Sequence, residues 1–248
     1  MPELRLDRLH TTAAERIRPF FEEVLAQYQE GIHSINVTGT AITEDYDPKH
    51  SDVNSIIILK EIDLKFLEVL APLGKKYRRH KVAAPLIMTP DYIKKSLDVF
   101  PIEFLNFRLI HSTVYGEDIL NDVEISLQDL RHQCERELKS KLIWLRQGYI
   151  SSLGDRRILT EGFVSSITGY IPLFRGIITL FGKEPPLRQE EVIRSLSEIT
   201  GVNTETFQRV YSIKRNRTRP SIEELNTIFE DFYHATERLS RIVDELKI

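Results

Sequence analysis

The run Ser51-Asp52-Val53-Asn54-Ser55-Ile56-Ile57-Ile58-Leu59 constrains the fold more than any other stretch of this chain. Side chains on a strand alternate between two faces, so an unbroken Ile-Ile-Ile-Leu sequence predicts a strand, Val53 to Leu59, buried on both sides. Upstream, Gly39-Thr40 follows a second apolar stretch, Ile32 to Val37, that also reads as a strand. A glycine there permits a tight turn and close backbone approach. Asp52 and Asn54, two residues apart at the head of the run, would share one face of it.

Around these strands the sequence divides in character near residue 122. Before it, short β-rich runs alternate with helical segments. Thr12 and Glu15 predict a capping box for a helix carrying Ile17, Phe20, Phe21, Val24, Leu25 and Tyr28, with Pro19 limiting its regularity and Gly31 ending it. Leu64 to Lys76 reads as an amphipathic crossover helix with Phe66, Leu67, Leu70 and Leu73 inward. Val82 to Met88 reads as a strand weakened by Pro85, Asp91 to Leu97 as a short helix, and Pro101 to Leu109 as another strand. That last strand closes at the turn Tyr115-Gly116-Glu117-Asp118.

After residue 122, helical periodicity dominates. Ser126 and Asp129 predict a helix start before Leu130, Cys134, Leu138, Leu142 and Leu145, and Gly154 ends it. Trp144 and the stretch Phe163 to Phe181 read as helix-bundle core; Arg175, Pro172 and the nearby glycines argue against a membrane span. A further helix bears Val192, Ile193, Leu196 and Ile199. Ser221 and Glu224 match a capping box for the last one, whose seam runs through Leu225, Phe229, Phe232, Thr236, Leu239, Val243 and Leu246. That seam suits either the inside of a bundle or a second copy of the chain. The expected organisation is α+β: residues 1–122 form a mixed sheet with flanking helices, and residues 123–248 an all-α domain.

Composition narrows the partners. A net charge of −3 supplies no global basic field for nucleic acid, so such a partner would need a local basic patch. The single cysteine, Cys134, excludes an internal disulfide and fits a reducing cytoplasm. Met1 to His10 is charged and has no apolar core of a secretory signal, so a cytoplasmic protein with no membrane partner is expected. The basic runs Lys214 to Arg219 and Arg78 to Lys81 read first as solvated helix ends. His33, His50 and His111 lack a shared metal-ligand spacing and read as surface or core histidines.

Paired acidic or amide side chains beside a glycine turn are the residue types that hold a metal-bound phosphate. Such a site needs a third carboxylate from a neighbouring strand, and Glu103, set in Phe100-Pro101-Ile102-Glu103-Phe104-Leu105, is the candidate. An acid among large apolar residues calls for a metal, a hydroxyl to deprotonate, or a buried ion pair.

Val37-Thr38-Gly39-Thr40, the loop with Asp47-Pro48, and Ser51-Asp52-Val53-Asn54 together resemble the nucleotidyltransferase superfamily of DNA polymerase β type. Tyr115-Gly116-Glu117-Asp118 also resembles a turn of its small bacterial members, and the helical half is similar to the tails of other members. The resemblance implies magnesium-dependent transfer of a nucleoside monophosphate from a nucleoside triphosphate to a hydroxyl or phosphate acceptor. It implies that Gly39 and Thr40 hold the triphosphate, that Asp52, Asn54 and Glu103 occupy the metal positions, and that Asp52 and Glu103 are catalytic. Thr40 departs mildly from the family serine. Asn54 departs seriously, because two Mg ions about 4 Å apart need shared carboxylates to offset their repulsion, and an amide carries no charge.

Three readings follow. The first is a protein that binds a Mg-nucleotide in a cleft between its two parts, with transfer weakened or lost. The second is an active transferase acting on a small-molecule, nucleic-acid or protein hydroxyl, with Glu103 as base. The third is an interaction module that pairs through its last helix with a copy or with another protein. Asp45, Asp47 and Glu44, in the loop before Asp52, are the acids available to compensate for Asn54.

Overall fold

The computed structural model describes residues 3–248; Met1 and Pro2, which open the expected first domain, lie outside the described residues. The chain divides into two compact units. One holds the chain up to Leu97 together with Phe104–Glu124, and the other holds Asp98–Glu103 and Ile125–Ile248. The architecture is α+β, a four-stranded mixed sheet with flanking helices and a helical carboxy-terminal part.

The first unit begins with α1 (Thr11–Tyr28), β1 (Ile32–Thr38), β2 (Asn54–Leu59), α2 (Leu64–Tyr77) and β3 (Leu86–Met88). It continues through α3 (Pro90–Ser96) and closes with β4 (His111–Gly116). Sheet order is β3-β2-β1-β4, with β1 antiparallel to both β2 and β4 and β2 parallel to β3. The expected central strand is found: Ile56, Ile57, Ile58 and Leu59 are all buried. One face of the sheet, through Ile35, Val37, Val53, Ile57 and Val114, packs into a core with Ile17, Phe20, Phe21 and Val24 of α1 and Phe66, Leu70 and Leu73 of α2.

Several local expectations are corrected. The cap of α1 is His10, whose ring Nδ1 accepts from Thr12 N at 3.2 Å, and the helix runs through Pro19 without ending. Leu67, expected inward, is exposed, because the buried stripe of α2 follows Phe66, Leu70, Leu73 and Tyr77. The Val82 to Met88 strand shrinks to Leu86–Met88 plus an isolated bridge from Val82 to Val53, as Pro85 interrupts the pairing.

The main correction concerns Pro101 to Leu109, which is a helix, α4, and not a strand. Pro101 fits a first helical turn, where its missing N–H leaves nothing unpaired. Ile102, Phe104 and Leu105 turn inward while Glu103 points out. The acid that looked buried in sequence is solvent-facing because a helix separates neighbours by about 100°.

The second unit is built from α5 (Leu127–Ser151), α6 (Arg156–Leu180), α7 (Gln189–Thr200), α8 (Glu205–Asn216) and α9 (Ile222–Glu245). The capping box of α9 forms in both directions between Ser221 and Glu224. Its seam is buried within its own unit through Leu225, Phe232, Thr236, Leu239 and Val243. Tyr170, Phe174, Phe207 and Phe232 make an aromatic centre with ring separations of 4.6–5.5 Å. Tyr170 is satisfied by the Thr236 hydroxyl at 3.1 Å. By length and composition α6 is apolar enough to cross a membrane, yet most of it is buried inside the protein. Arg175 there donates to the carbonyls of Pro186 and Leu187 at 3.2 and 2.7 Å. Trp144, expected in the core, is 68% exposed: the buried positions of α5 end at Leu138, and Trp144 lies beyond them.

Two glycines of the sheet differ in why they are needed. A Cβ on Gly116 (φ +77°) would meet His33 O at 2.1 Å, whereas one on Gly39 (φ +75°) would meet nothing nearer than Asn54 Nδ2 at 3.7 Å. Gly116→Ala therefore combines backbone strain with a steric clash and is expected to cost ~3 kcal/mol, against ~1 kcal/mol for Gly39→Ala. Urea denaturation of the two variants checks the order; equal losses would refute it.

Candidate functional site

At one end of the sheet, β1 runs straight into the Gly39-Thr40 turn, a single 3₁₀ turn spanning Gly39–Ile42. Thr38, its last strand residue, is the Cα partner of Asn54 on β2 and of His111 on β4. That register places Asn54 beside the glycine turn. Asp52 stands two residues earlier, and Val53 between them bonds to the β3 side: Val53 N donates to Lys81 O at 2.7 Å, and Ala83 N donates to Val53 O at 3.1 Å. Gly39, Thr40, Asp52 and Asn54 are thus brought to one end of the sheet. Both Asp52 and Asn54 are exposed.

Glu103 does not join them on a strand. Its Oε2 accepts from Gln133 Nε2 at 2.7 Å, while Gln133 Oε1 accepts the Ile102 N–H at 2.7 Å. The buried glutamine ties the start of α4 to α5 and uses Glu103 as its second partner. The strands flanking the site carry no acid: β3 is Leu86-Ile87-Met88, and β4 is His111-Ser112-Thr113-Val114-Tyr115-Gly116.

The loop before Asp52 does not supply Asp47 instead. The His50 ring at 2.6 Å holds the Asp47 carboxyl below the usual aspartate range, helped by the Lys49 N–H at 2.8 Å. Asp47 also organises the loop through its backbone, accepting from Ser51 N at 2.7 Å. Arg16 of α1 braces the same loop by donating to Tyr46 OH at 3.0 Å and Pro48 O at 2.7 Å.

Two features of the site were given no part in it by the sequence, a polar strip on β1 and the placement of Lys81. Ser34, Asn36 and Thr38 alternate with Ile35 and Val37 along β1 and form a buried polar strip on the Asn54 side of the sheet. Thr113 donates to Asn36 Oδ1 at 2.6 Å within that strip. The polar–apolar alternation of β1 was the available signal. Lys81, expected only as part of a solvated helix end, adopts a left-handed conformation (φ 62°) and places Nζ 3.9 Å from Asp52 Oδ1. No local pattern announces that pairing.

His111 is buried, as one of the two histidine readings expected. One ring nitrogen lies 3.2 Å from Arg108 O, and Nε2 lies 2.9 Å from Asp118 Oδ1. Burial pushes the Asp118 carboxyl up, but the His111 contact and the N–H groups of Asn121 and Leu120 outweigh it and leave the group below its ordinary value.

No protein-family model matches the chain, and no curated protein matches it in sequence. A solved structure does match in fold: spectinomycin adenyltransferase AAD(9) from Enterococcus faecialis, crystallised with ATP and spectinomycin. The TM-score is 0.56 at 13% identity, covering 91% of this chain and 98% of that one. The chain has the nucleotidyltransferase fold. The order of elements that suggested it, from the glycine turn to the strand opening at Asp52 and Asn54, is the order the structure displays.

An aspartate with a lowered folded pKa stabilises above its unfolded value of about 3.9, and that contribution is lost as pH falls through the folded value. Asp118→Asn should therefore reduce stability at neutral pH. The gap from the native chain should narrow below about pH 4, where the native Asp118 takes up its proton. Melting temperature against pH for the two proteins tests this; a gap that widens on acidification would show the sign to be wrong.

Proposed function

We propose that this protein binds a nucleoside triphosphate through the Gly39-Thr40 turn and does not carry out two-metal nucleotidyl transfer. The observation that carries the reading is the solitary carboxylate. Asp52 is the one acid among Gly39, Thr40, Asp52, Asn54 and the strand residues paired with them. Magnesium is the ion the fold implies. Two such ions need several anionic oxygens to offset their mutual repulsion, and Asn54 supplies a neutral one. Among the described residues no group of three or more histidine, cysteine or acidic side chains is placed to hold a metal ion. The residues present do not fit a two-ion centre, and no transfer step is assigned to them.

Retention of the nucleotide is supported by different features. The positive-φ glycine keeps the turn open to a close-approaching ligand, and the Thr40 hydroxyl remains beside it. The solved structure of the same fold holds ATP. In this reading Glu103 is a partner of Gln133 that orders the start of α4, and it takes no part in proton transfer.

Thermal unfolding with each nucleoside triphosphate is expected to show binding by at least one of them. A ligand at 100 times its Kd adds about 2.7 kcal/mol, a rise of several degrees. Incubation with labelled triphosphate should leave no label on the protein or on acceptors in a cell extract. Asn54→Asp alone should not restore transfer, since the third acid is missing as well. Transfer by the native chain that disappears in Asp52→Ala would overturn the proposal.

A further inference from the structure

The disagreement between this site and a metal centre has a positive side, and it rests on the nucleotide-binding reading above. We propose that the site takes the triphosphate chain without a divalent ion, with the Lys81 ammonium supplying the charge that a metal would bring.

Three observations converge. First, Lys81 is delivered to Asp52 by backbone: its N–H donates to Arg78 O at 3.0 Å and its carbonyl accepts from Val53 N at 2.7 Å. The residue holds positive φ although it is not glycine, a conformation unfavourable for a side-chain-bearing residue and kept here by those two bonds. Its Nζ, 3.9 Å from Asp52 Oδ1, offsets the single negative charge that would otherwise repel phosphate. A divalent ion held by Asp52 would lie beside that ammonium and be repelled by it.

Second, Asn54 changes meaning in such a site. Without a metal, an aspartate there would push phosphate oxygens away, whereas the Asn54 amide offers N–H donors. The missing third acid follows the same logic: each carboxylate absent from the strands is one repulsion fewer.

Third, the segment leading to Lys81 is cationic and holds no acid. Lys75-Lys76-Tyr77-Arg78-Arg79-His80-Lys81 runs from the end of α2 into the bridge beside Asp52. Lys76 is engaged by Glu23 at 2.5 Å; Lys75, Arg78 and Arg79 are exposed. Cations so placed raise the local concentration of an anionic ligand in a chain whose net charge is −3.

The test measures ATP and inorganic tripolyphosphate binding by calorimetry, once with EDTA and once with magnesium. Both probes should bind in EDTA at least as tightly as with magnesium. Lys81→Asn, chosen because asparagine tolerates the left-handed backbone, should weaken binding in EDTA about tenfold or more. Its melting temperature is compared with the native chain to show that it folds. Binding that vanishes in EDTA and returns with magnesium would overturn this inference and leave nucleotide binding intact. Unchanged affinity in a folded Lys81→Asn protein would also overturn it. No binding of ATP under either condition would remove both this inference and the reading it rests on.

Discussion

The pairing of β1 with β2 is the constraint on which the site depends. Thr38 opposite Asn54 and Val37 opposite Ser55 set a register in which Ile35, Val37, Val53 and Ile57 all face the core. Slipping β1 by one residue would turn Ser34, Asn36 and Thr38 toward the core in place of Ile35 and Val37. The polar–apolar alternation of β1 thus enforces the register, since β2 is apolar on both faces. The same register puts the Gly39-Thr40 turn beside Asn54, so the geometry of the site follows from packing the core.

What that geometry lacks is charge. The resemblance to nucleotidyltransferases implied several acids at this end of the sheet, and here the flanking strands offer Leu86, Ile87 and Met88 on one side and His111, Ser112 and Thr113 on the other. Asp47 is held by His50 and its own loop. A cation, Lys81, pairs with the remaining Asp52. Asn54, the missing third acid and Lys81 all move the site in one direction, toward less negative charge. They favour an anionic ligand and disfavour a dication for the same electrostatic reason.

The polar strip on β1 shows a similar economy. Ser34 and Asn36 are fully buried, and Asn36 is bonded to Thr113 across the strand boundary. Buried amides destabilise unless their hydrogen bonds are made, and the Thr113 bond meets part of that need. This strip and the His111–Asp118 contact give the site side of the sheet a polar lining.

The central strand, the glycine turn, the Asp52-x-Asn54 pair, the change to helices in the second half and the capping box of the last helix could all be read from the residues alone. Each is a local signal: a period, a turn residue or a cap that one short segment states without help. Sequence alone misread Pro101 to Leu109, where a short apolar run fits a strand or a helix until the surroundings choose, and with it the place of Glu103. It misjudged Trp144 and Leu67, since apolar residues on a helix do not reveal which stripe will find a partner. The pairing of Asp52 with Lys81 and the lack of a second acid on either neighbouring strand emerge only in the folded sheet. Those facts depend on which strands lie side by side, and strand neighbours are set by burial and register across the whole sheet, not by the residues next to them in the chain.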